Sequence, residues 1–557
     1  MEKRTLIAFA LSFVILVLWS ALYTPPGKQA PPTEKPSSAS KAGESVPEPA
    51  PPPAPAETNV PVAVQPVPAV SPTRVPERIV RVETPLYSAT WSNVGGTLES
   101  FKLKKYRETS NPDSPPIDLA NLRDMEEGLI GFRFTHDGAE ASRPVLYEVS
   151  ETSLRVGPES GPKTLVFTGR NPSGVVLEHT YRFHPDQYRI DVETRVVNRQ
   201  STAVEGAVTA RLVKLLPQDQ KSSYGFVGIA LLLNDELEEI KPKKMKEEEK
   251  RLSGNIGWMA YEDDYFMASI VPETPNKGRF RGKTLPSGLL EALYLTPHVT
   301  LGAQEQVTRR FALYLGPRDL TILNTFGEGL ERAINFGWTD IIAKPLLHGL
   351  RFFYGYVHNY GLAILILTVL IKILFWPLTH KSYKSMKEMQ KIQPLMAKIR
   401  EKYKGNKEQM NREMMQLYKT YKVNPMGGCL PMLIQIPVFL ALFRILSSSI
   451  ELRHAPFGLW ILDLSAPDRL FHFPFQIPFM APPSGIPVLT LLMGASMFLQ
   501  QKMSPAPGDP TQAKVMMFLP LIFTFVFINF PSGLVLYWLT NNILSIGQQY
   551  RILKKSA

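Results

Sequence analysis

Cysteine is almost missing from this chain: Cys429 is the only one in 557 residues. A disulfide framework and a cysteine-built zinc site are therefore excluded, and any exported domain must be stable without cross-links. The common catalytic signatures are missing too, with no glycine-rich phosphate loop, no HExxH pair and no GxSxG elbow. The nearest approach to an acid-base pair is Glu262-Asp263-Asp264 beside Trp258, Tyr261 and Tyr265. Consecutive strand residues point to opposite faces, so a paired acid-base site is not expected among these adjacent carboxylates. No soluble active site is expected, and neither a metal nor a cofactor. Charge is scarce in the apolar runs of the C-terminal half, where Lys372 alone stands well inside one.

What is present divides the chain. The basic start MEKR precedes an apolar stretch without a small-x-small cleavage pattern, which predicts an uncleaved membrane anchor over 1–23. Residues 24–78 form a Pro-rich linker; 16 of the 50 prolines fall between 24 and 76, a composition that cannot bury a core and behaves as a tether. Short alternating segments with Gly and Pro punctuation then predict an all-β sandwich domain over 79–318. Within it HTYRFH and YRIDVETRVV flank Pro185-Asp186-Gln187 as a hairpin, and 235–251 reads as a solvated helix or loop.

Residues 319–360 are expected as connecting and interfacial amphipathic helices. Apolar runs predict further spans over 361–380, 425–449, 486–503, 515–530 and 533–550, six spans with the anchor. Between them lie a hairpin segment (381–424), an outer loop (450–485) and an inner loop (504–514), and a short basic tail (551–557) ends the chain. Of the net charge of +12, segment 381–424 carries 12 Lys+Arg against 4 Asp+Glu. The basic segments all fall on one side when the N-terminus is cytoplasmic, which leaves the β domain outside.

A charge inside a span costs ~2.5 to 3.5 kcal/mol on insertion scales, so Lys372 must snorkel or face water. The apolar cores of the last three spans extend roughly 20 to 24 Å at 1.5 Å per residue, short of a hydrocarbon core of about 30 Å, which implies a locally thinned bilayer. Polar residues Gln435, Thr524, Asn529 and Asn541 punctuate these spans and are candidates to line a groove with Lys372. In 381–424, Met386, Met389, Met396, Met410 and Met414 recur at helical spacing on two arms separated by Gly405-Asn406. They predict an antiparallel hairpin whose methionines form either its own seam or an adaptable docking face.

The runs KVNPMGGCLPMLIQIPVFLALF (422–443), SIELRHAPFGLWILDLSAPD (449–468), FLQQKMSP (498–505) and FPSGLVLYWLTNN (530–542) resemble the YidC/Oxa/Alb membrane insertase family. The outer domain with GWMAYEDDYFMASIVP (257–272) is similar to the Gram-negative YidC type. The resemblance implies a polytopic α-helical membrane protein with a five-helix conserved core and cytoplasmic hairpin, joined to an all-β periplasmic sandwich. It implies an insertase and chaperone working without ATP, alone or with the Sec translocon, through a positively charged groove open to cytoplasm and lipid. Lys372 falls at the position of the groove cation, where most Gram-negative members carry arginine, and Tyr537 and Trp538 match residues that contact the client helix. The implied partners are nascent membrane proteins, the Sec translocon and its SecDF accessory, the ribosome and membrane lipid, with no specific nucleic-acid recognition. The alternative from another class is a small-solute transporter or channel using Lys372 as an anion site.

Overall fold

The structure is a computed structural model describing residues 77–120, 122, 128–135, 144–171, 174–215, 225–274, 277–423, 430–504 and 510–554. The anchor expected over 1–23, the linker up to residue 76, Cys429 and residues 555–557 lie outside the described residues.

The outer domain is a large β sandwich. A five-stranded sheet runs in the order 116–118, 97–107, 87–92, 79–83, 153–155, and a 14-stranded system has the long path 299–301, 204–215, 289–295, 277–284, 250–262, 266–272, 306–317, 189–198, 175–183, 163–170, 147–149. The expected hairpin forms: Val175–Phe183 pairs antiparallel with Arg189–Asn198, Phe183 opposite Ile190. Its first strand alternates buried and partly exposed side chains, as a half-buried strand requires. The sheets close on aromatic rings. Trp91 of the smaller sheet lies 5.7 Å from Tyr181 and 5.3 Å from Phe183 of the larger one. Strand Lys250–Glu262 pairs through its first half with Lys277–Thr284 and through its second with Phe266–Pro272. The solvated segment expected over 235–251 resolves into strand Glu236–Ile240, helix α1 (Pro242–Glu247) and the start of that long strand. The three adjacent acids take separate structural parts: Glu262 is buried 3.2 Å from Arg318, Asp263 accepts the amides of Tyr265 and Phe266, and Asp264 accepts that of Gly225.

The helices follow in order: α2 (Leu320–Phe326), α3 (Asp340–Val357), α4 (Tyr360–Leu374), α5 (Trp376–Lys402), α6 (Lys407–Thr420), α7 (Leu430–Ser448), α8 (Val488–Met503), α9 (Pro510–Phe527) and α10 (Ser532–Lys554). Three of the starts have a side-chain cap. Asp319 caps α2 by accepting Thr321 N, Asn359 caps α4 by accepting Leu362 N, and Asn406 caps α6 by accepting Gln409 N. Helix α3 buries Ala343, Leu347 and Leu350 and exposes Ile341, Phe352 and Tyr356, the two-sided pattern of an interfacial helix.

The span expected over 361–380 is not one helix. Helix α4 ends at Leu374 and α5 leaves at 65°. Pro377, in the first turn of α5, has no amide hydrogen and its ring disfavours a helical residue before it, so the chain restarts there. The hairpin arm accordingly begins at Trp376 rather than 381. Among the described residues no single helix is long and apolar enough to cross a membrane, though the bent pair α4 and α5 passes jointly. The surfaces are nonetheless inverted relative to a bundle in water. Leu370, Ile373 and Leu374 of α4, Leu491 and Leu492 of α8, and Phe518, Leu521 and Phe525 of α9 are exposed, while Thr368, Lys372, Thr490, Asn542 and Gln548 are buried.

Side chains tie the sandwich to the helices. Arg351 of α3 donates to Glu451 after α7 and to Thr321 of α2, and the Arg453 guanidinium lies 5.6 Å over the Tyr265 ring and donates to Glu108 O.

Candidate functional site: a lysine held between two helices

Lys372 lies near the end of α4 and is 8% exposed. Its Nζ donates to Ser545 Oγ at 2.5 Å and lies 3.5 Å from Asn541 Oδ1, both on α10. Ser545 spends its own hydrogen on Asn541 O at 2.7 Å, which leaves its oxygen free to accept from the lysine. Both partners are neutral. The ammonium is thus solvated by dipoles without being cancelled by a carboxylate, and its charge stays available to a third group. One and two turns away, Thr368 returns its hydroxyl to Ile364 O, and Thr379 meets Gln548 side chain to side chain at 3.0 Å. The result is a polar column from mid-α4 to the root of the hairpin. Asn541, Ser545 and Gln548 stand at i, i+4 and i+7, one face of α10.

The column reaches the C-terminal ends of α8 and α10. Gln549 and Gln390 donate to Met503 O at 2.8 and 3.4 Å, and Lys387 donates to Ile552 O at 3.4 Å. Amide and ammonium donors on the last carbonyls of helices satisfy groups that have no partner within their own helix.

Of the four polar residues expected to line a groove with Lys372, only Asn541 reaches it. Gln435 donates to the Tyr537 hydroxyl instead. Thr524 returns its hydroxyl to Pro520 O and packs on Gly494, where an added Cβ would stand 2.1 Å from Thr524 Oγ1, so this contact sets how closely α8 and α9 approach. Asn529 is at the other end of α9: it accepts Ala481 N and donates to Phe479 O, both at 2.7 Å. The outer loop would otherwise leave those backbone groups unpaired, which is why the amide goes there. The aromatic pair expected to contact the client helix, Tyr537 and Trp538, packs against neighbouring helices instead. Tyr537 is 2% exposed, and the Trp538 ring sits 4.8 Å from Phe439 and 5.0 Å from Phe527.

The hairpin forms as expected in pattern, and four of the five expected methionines pack in its own seam. Met396 and Met414 are buried with Ile392 and Val423, and Met389 and Met410 pack against them. Met386 lies outside that cluster. Ile399, Leu417 and Tyr418 complete that seam, and Lys398, Lys402 and Lys419 are exposed outside it. Ser545, Gln548 and Thr379 were not singled out in the sequence; the i, i+4, i+7 spacing from Asn541 carried the signal for the first two, and none pointed to Thr379 on α5.

Two family models match. One described as "60Kd inner membrane protein" covers residues 352–557 and one described as "YidC periplasmic domain" covers 79–348. Proteins named "Membrane protein insertase YidC" are similar over the whole length. The one from Pelobacter propionicus is 42% identical over 559 residues, covering 100% of this chain and 99% of that protein. The one from Geobacter sulfurreducens is 43% identical over 553 residues, covering 99% and 98%. Among solved structures, an active YidC insertase with its first transmembrane domain resolved is matched over 85% of this chain and 94% of that one, at 18% identity and a TM-score of 0.36. A galactose mutarotase-like protein from Lactobacillus casei is matched over 42% and 99%, at 11% identity and a TM-score of 0.30. At those scores neither structural likeness carries an argument.

Proposed function

The chain belongs to the YidC family of membrane protein insertases, a family of insertases rather than enzymes, and from that membership we propose that Lys372 is the charge with which it draws nascent membrane proteins into the inner membrane. The observation that carries this reading is the pairing of Lys372 with Ser545 and Asn541, neutral groups that hold the ammonium without neutralising it. An acidic or polar exported tail entering along the polar column from the hairpin side exchanges water for Thr379, Gln548, Asn541 and the lysine in turn, so its desolvation is spread over several steps. The client's apolar helix meanwhile slides along the exposed apolar faces of the bundle into lipid, and burial of that helix drives completion.

Several finer features belong to this reading. The protein is a multi-pass inner-membrane protein with six spans, its N-terminus in the cytoplasm and its β sandwich in the periplasm, because the basic segments then share one side. Helices α8 and α9, with 16 and 18 residues, extend about 24 and 27 Å at ~1.5 Å per residue, which lowers the distance a polar tail must cover. The hairpin's exposed lysines engage anionic lipid and the ribosome, and the bundle works alone or beside the Sec translocon and SecDF. Tyr537 and Trp538 meet the client only after α7 shifts from the last span, since Gln435 and Phe439 cover them in the resting protein. No cofactor is required.

The test is site-specific crosslinking from Ile543, an exposed position on α10, to ribosome-bound nascent membrane proteins of increasing length. Crosslinks to the client's apolar segment, lost when the segment is made polar, are expected. Crosslinks to lipid alone at every chain length would sink the proposal.

A further inference from the structure

The loop between α7 and α8 is charge-poor and, in its second half, free of charge: from Leu470 to Gln501 there is no Asp, Glu, Lys or Arg. A periplasmic loop in water normally carries its polar residues outward. This one presents Leu459 (88% exposed), Leu462, Phe471, Phe475 (61%) and Phe479 (82%).

These side chains are not displayed by a slack backbone. Leu459, Phe471 and Phe479 have φ of 56°, 54° and 67°, a left-handed conformation that bulky residues rarely adopt and that persists only where surrounding contacts impose it. The contacts are present. Strand Leu470–His472 pairs with Gly485–Ile486, Phe473 N donates to Ser484 O at 2.8 Å, and Asn529 at the end of α9 holds Phe479 O and Ala481 N. Arg469 adds bonds to Ile528 O and to Asn529. These bonds hold the loop backbone from within, while the Phe471, Phe475 and Phe479 rings are exposed beside the exposed polar side chains of His472 and Gln476.

The patch is continuous with the exposed apolar stripe of α9. The Phe479 ring lies 6.1 Å from Phe525, and Phe525 belongs to the exposed apolar stripe of α9 with Met517, Phe518, Leu521 and Ile522. A loop outside the bilayer would not extend that stripe past the helix end with further aromatics.

We propose that residues 459–479 form a rigid aromatic anchor embedded in the outer leaflet, with lipid hydrocarbon as the occupant of its exposed face. The anchor fills the outer-leaflet volume that the short helices α8 and α9 leave open, so the depth of the bundle is fixed from the periplasmic side while the bilayer adjusts at the cytoplasmic side. This rests on the membrane-spanning reading of α9.

The experiment is spin-label accessibility in the full chain carrying Cys429→Ser, one molecule per lipid nanodisc of phosphatidylethanolamine and phosphatidylglycerol. Single substitutions Phe475→Cys and Phe479→Cys report the loop, Leu521→Cys reports the α9 lipid face, and Lys243→Cys on the sandwich reports water. All four positions are exposed, so the fold tolerates the label. The expected result is an oxygen-to-nickel-chelate accessibility ratio severalfold higher at 475, 479 and 521 than at 243. A lipid-like ratio at 521 with a water-like ratio at 475 and 479 would overturn the anchor alone. Immobile labels closed to both reagents at 475 and 479 would also overturn it, since a protein surface would then be the occupant. A water-like ratio at 521 would overturn the membrane reading of α9 and the anchor with it.

Discussion

Ser545 accepts a hydrogen bond from Lys372 while donating its own proton to Asn541 O. One hydroxyl thereby lets a charged side chain sit inside an apolar bundle with its charge uncompensated. A carboxylate at that position would pair with the lysine and cancel the charge on which the proposed function rests.

That relationship predicts a reversal. Lys372→Arg retains insertion of clients with acidic exported tails, whereas Lys372→Leu and Lys372→Glu reduce it with the protein still folded. Ser545→Asp cancels the charge locally and reduces insertion about as far as Lys372→Leu, while Ser545→Ala loses one hydrogen bond to a charged group, roughly 1.5 to 3 kcal/mol of stability, and keeps most of its activity. Protease protection of the client tail measures all five variants. Wild-type insertion by both Lys372→Leu and Ser545→Asp would return Lys372 to a lysine that merely tolerates its place.

The hairpin separates into seam and surface. Met396→Asp buries an unpaired carboxylate between the arms and is expected to melt α6 against α5, visible as rapid amide exchange over 407–420. Lys398→Glu with Lys402→Glu and Lys419→Glu leaves the exchange unchanged but weakens ribosome or anionic-lipid association, an effect that fades in high salt because exposed charges are screened over about 8 Å at physiological ionic strength. Equal binding by the triple variant at low salt would refute the proposed engagement of lipid and ribosome by these lysines.

The outer domain does not end at 318. Trp258 Nε1 donates to Gly329 O at 3.1 Å and Arg318 donates to Ala333 O at 2.5 Å, and Leu320, Leu323, Leu330 and Ile334 are buried against the same core. Fragment 79–348 should therefore unfold cooperatively at a higher temperature than fragment 79–318, with a strand-dominated circular dichroism spectrum. Identical melting of the two would show that 319–348 contributes nothing to the sandwich.

Two buried groups give the sandwich opposing pH dependences. Burial lifts the Glu262 carboxyl from 4.5 to about 7 against the lowering effect of Arg318. The unfolded chain ionises this group first as pH rises, so stability falls between pH 4.5 and about 7 and is flat above; the drift is on the order of 3 kcal/mol at about 1.4 per unit. Burial lowers His179 from 6.5 to about 3, between the Tyr147 hydroxyl and Thr194. The unfolded chain protonates it first as pH falls, so stability drops from pH 6.5 toward about 3. Glu262→Gln should remove the first slope and leave the second. Urea titrations of fragment 79–348 across pH 4 to 8 check this, and unchanged slopes in Glu262→Gln would reject the assignment.

Much of this protein was legible without coordinates. Alternation of buried and polar residues over 175–183 and 189–198 gave the central hairpin, because a strand's period of two is local. Spacing of methionines gave two helical arms, and the single lysine in an apolar run marked the site. The tertiary structure decided partners, which sequence spacing does not encode. Asn529 and Asn541 look alike in sequence, each an amide in an apolar stretch, yet one holds the backbone of the outer loop and the other faces Lys372, because a hydrogen-bonding side chain goes to whichever unpaired group its helix end brings within about 3 Å. The kink at Pro377, which a longer apolar count hid, decides that α4 stops where the polar column turns toward the hairpin. Composition and periodicity therefore determined the division into sandwich and helices and singled out Lys372, while the motif runs carried the resemblance to a family. Only packing between α4 and α10 determined that its charge is held by neutral groups and left uncancelled.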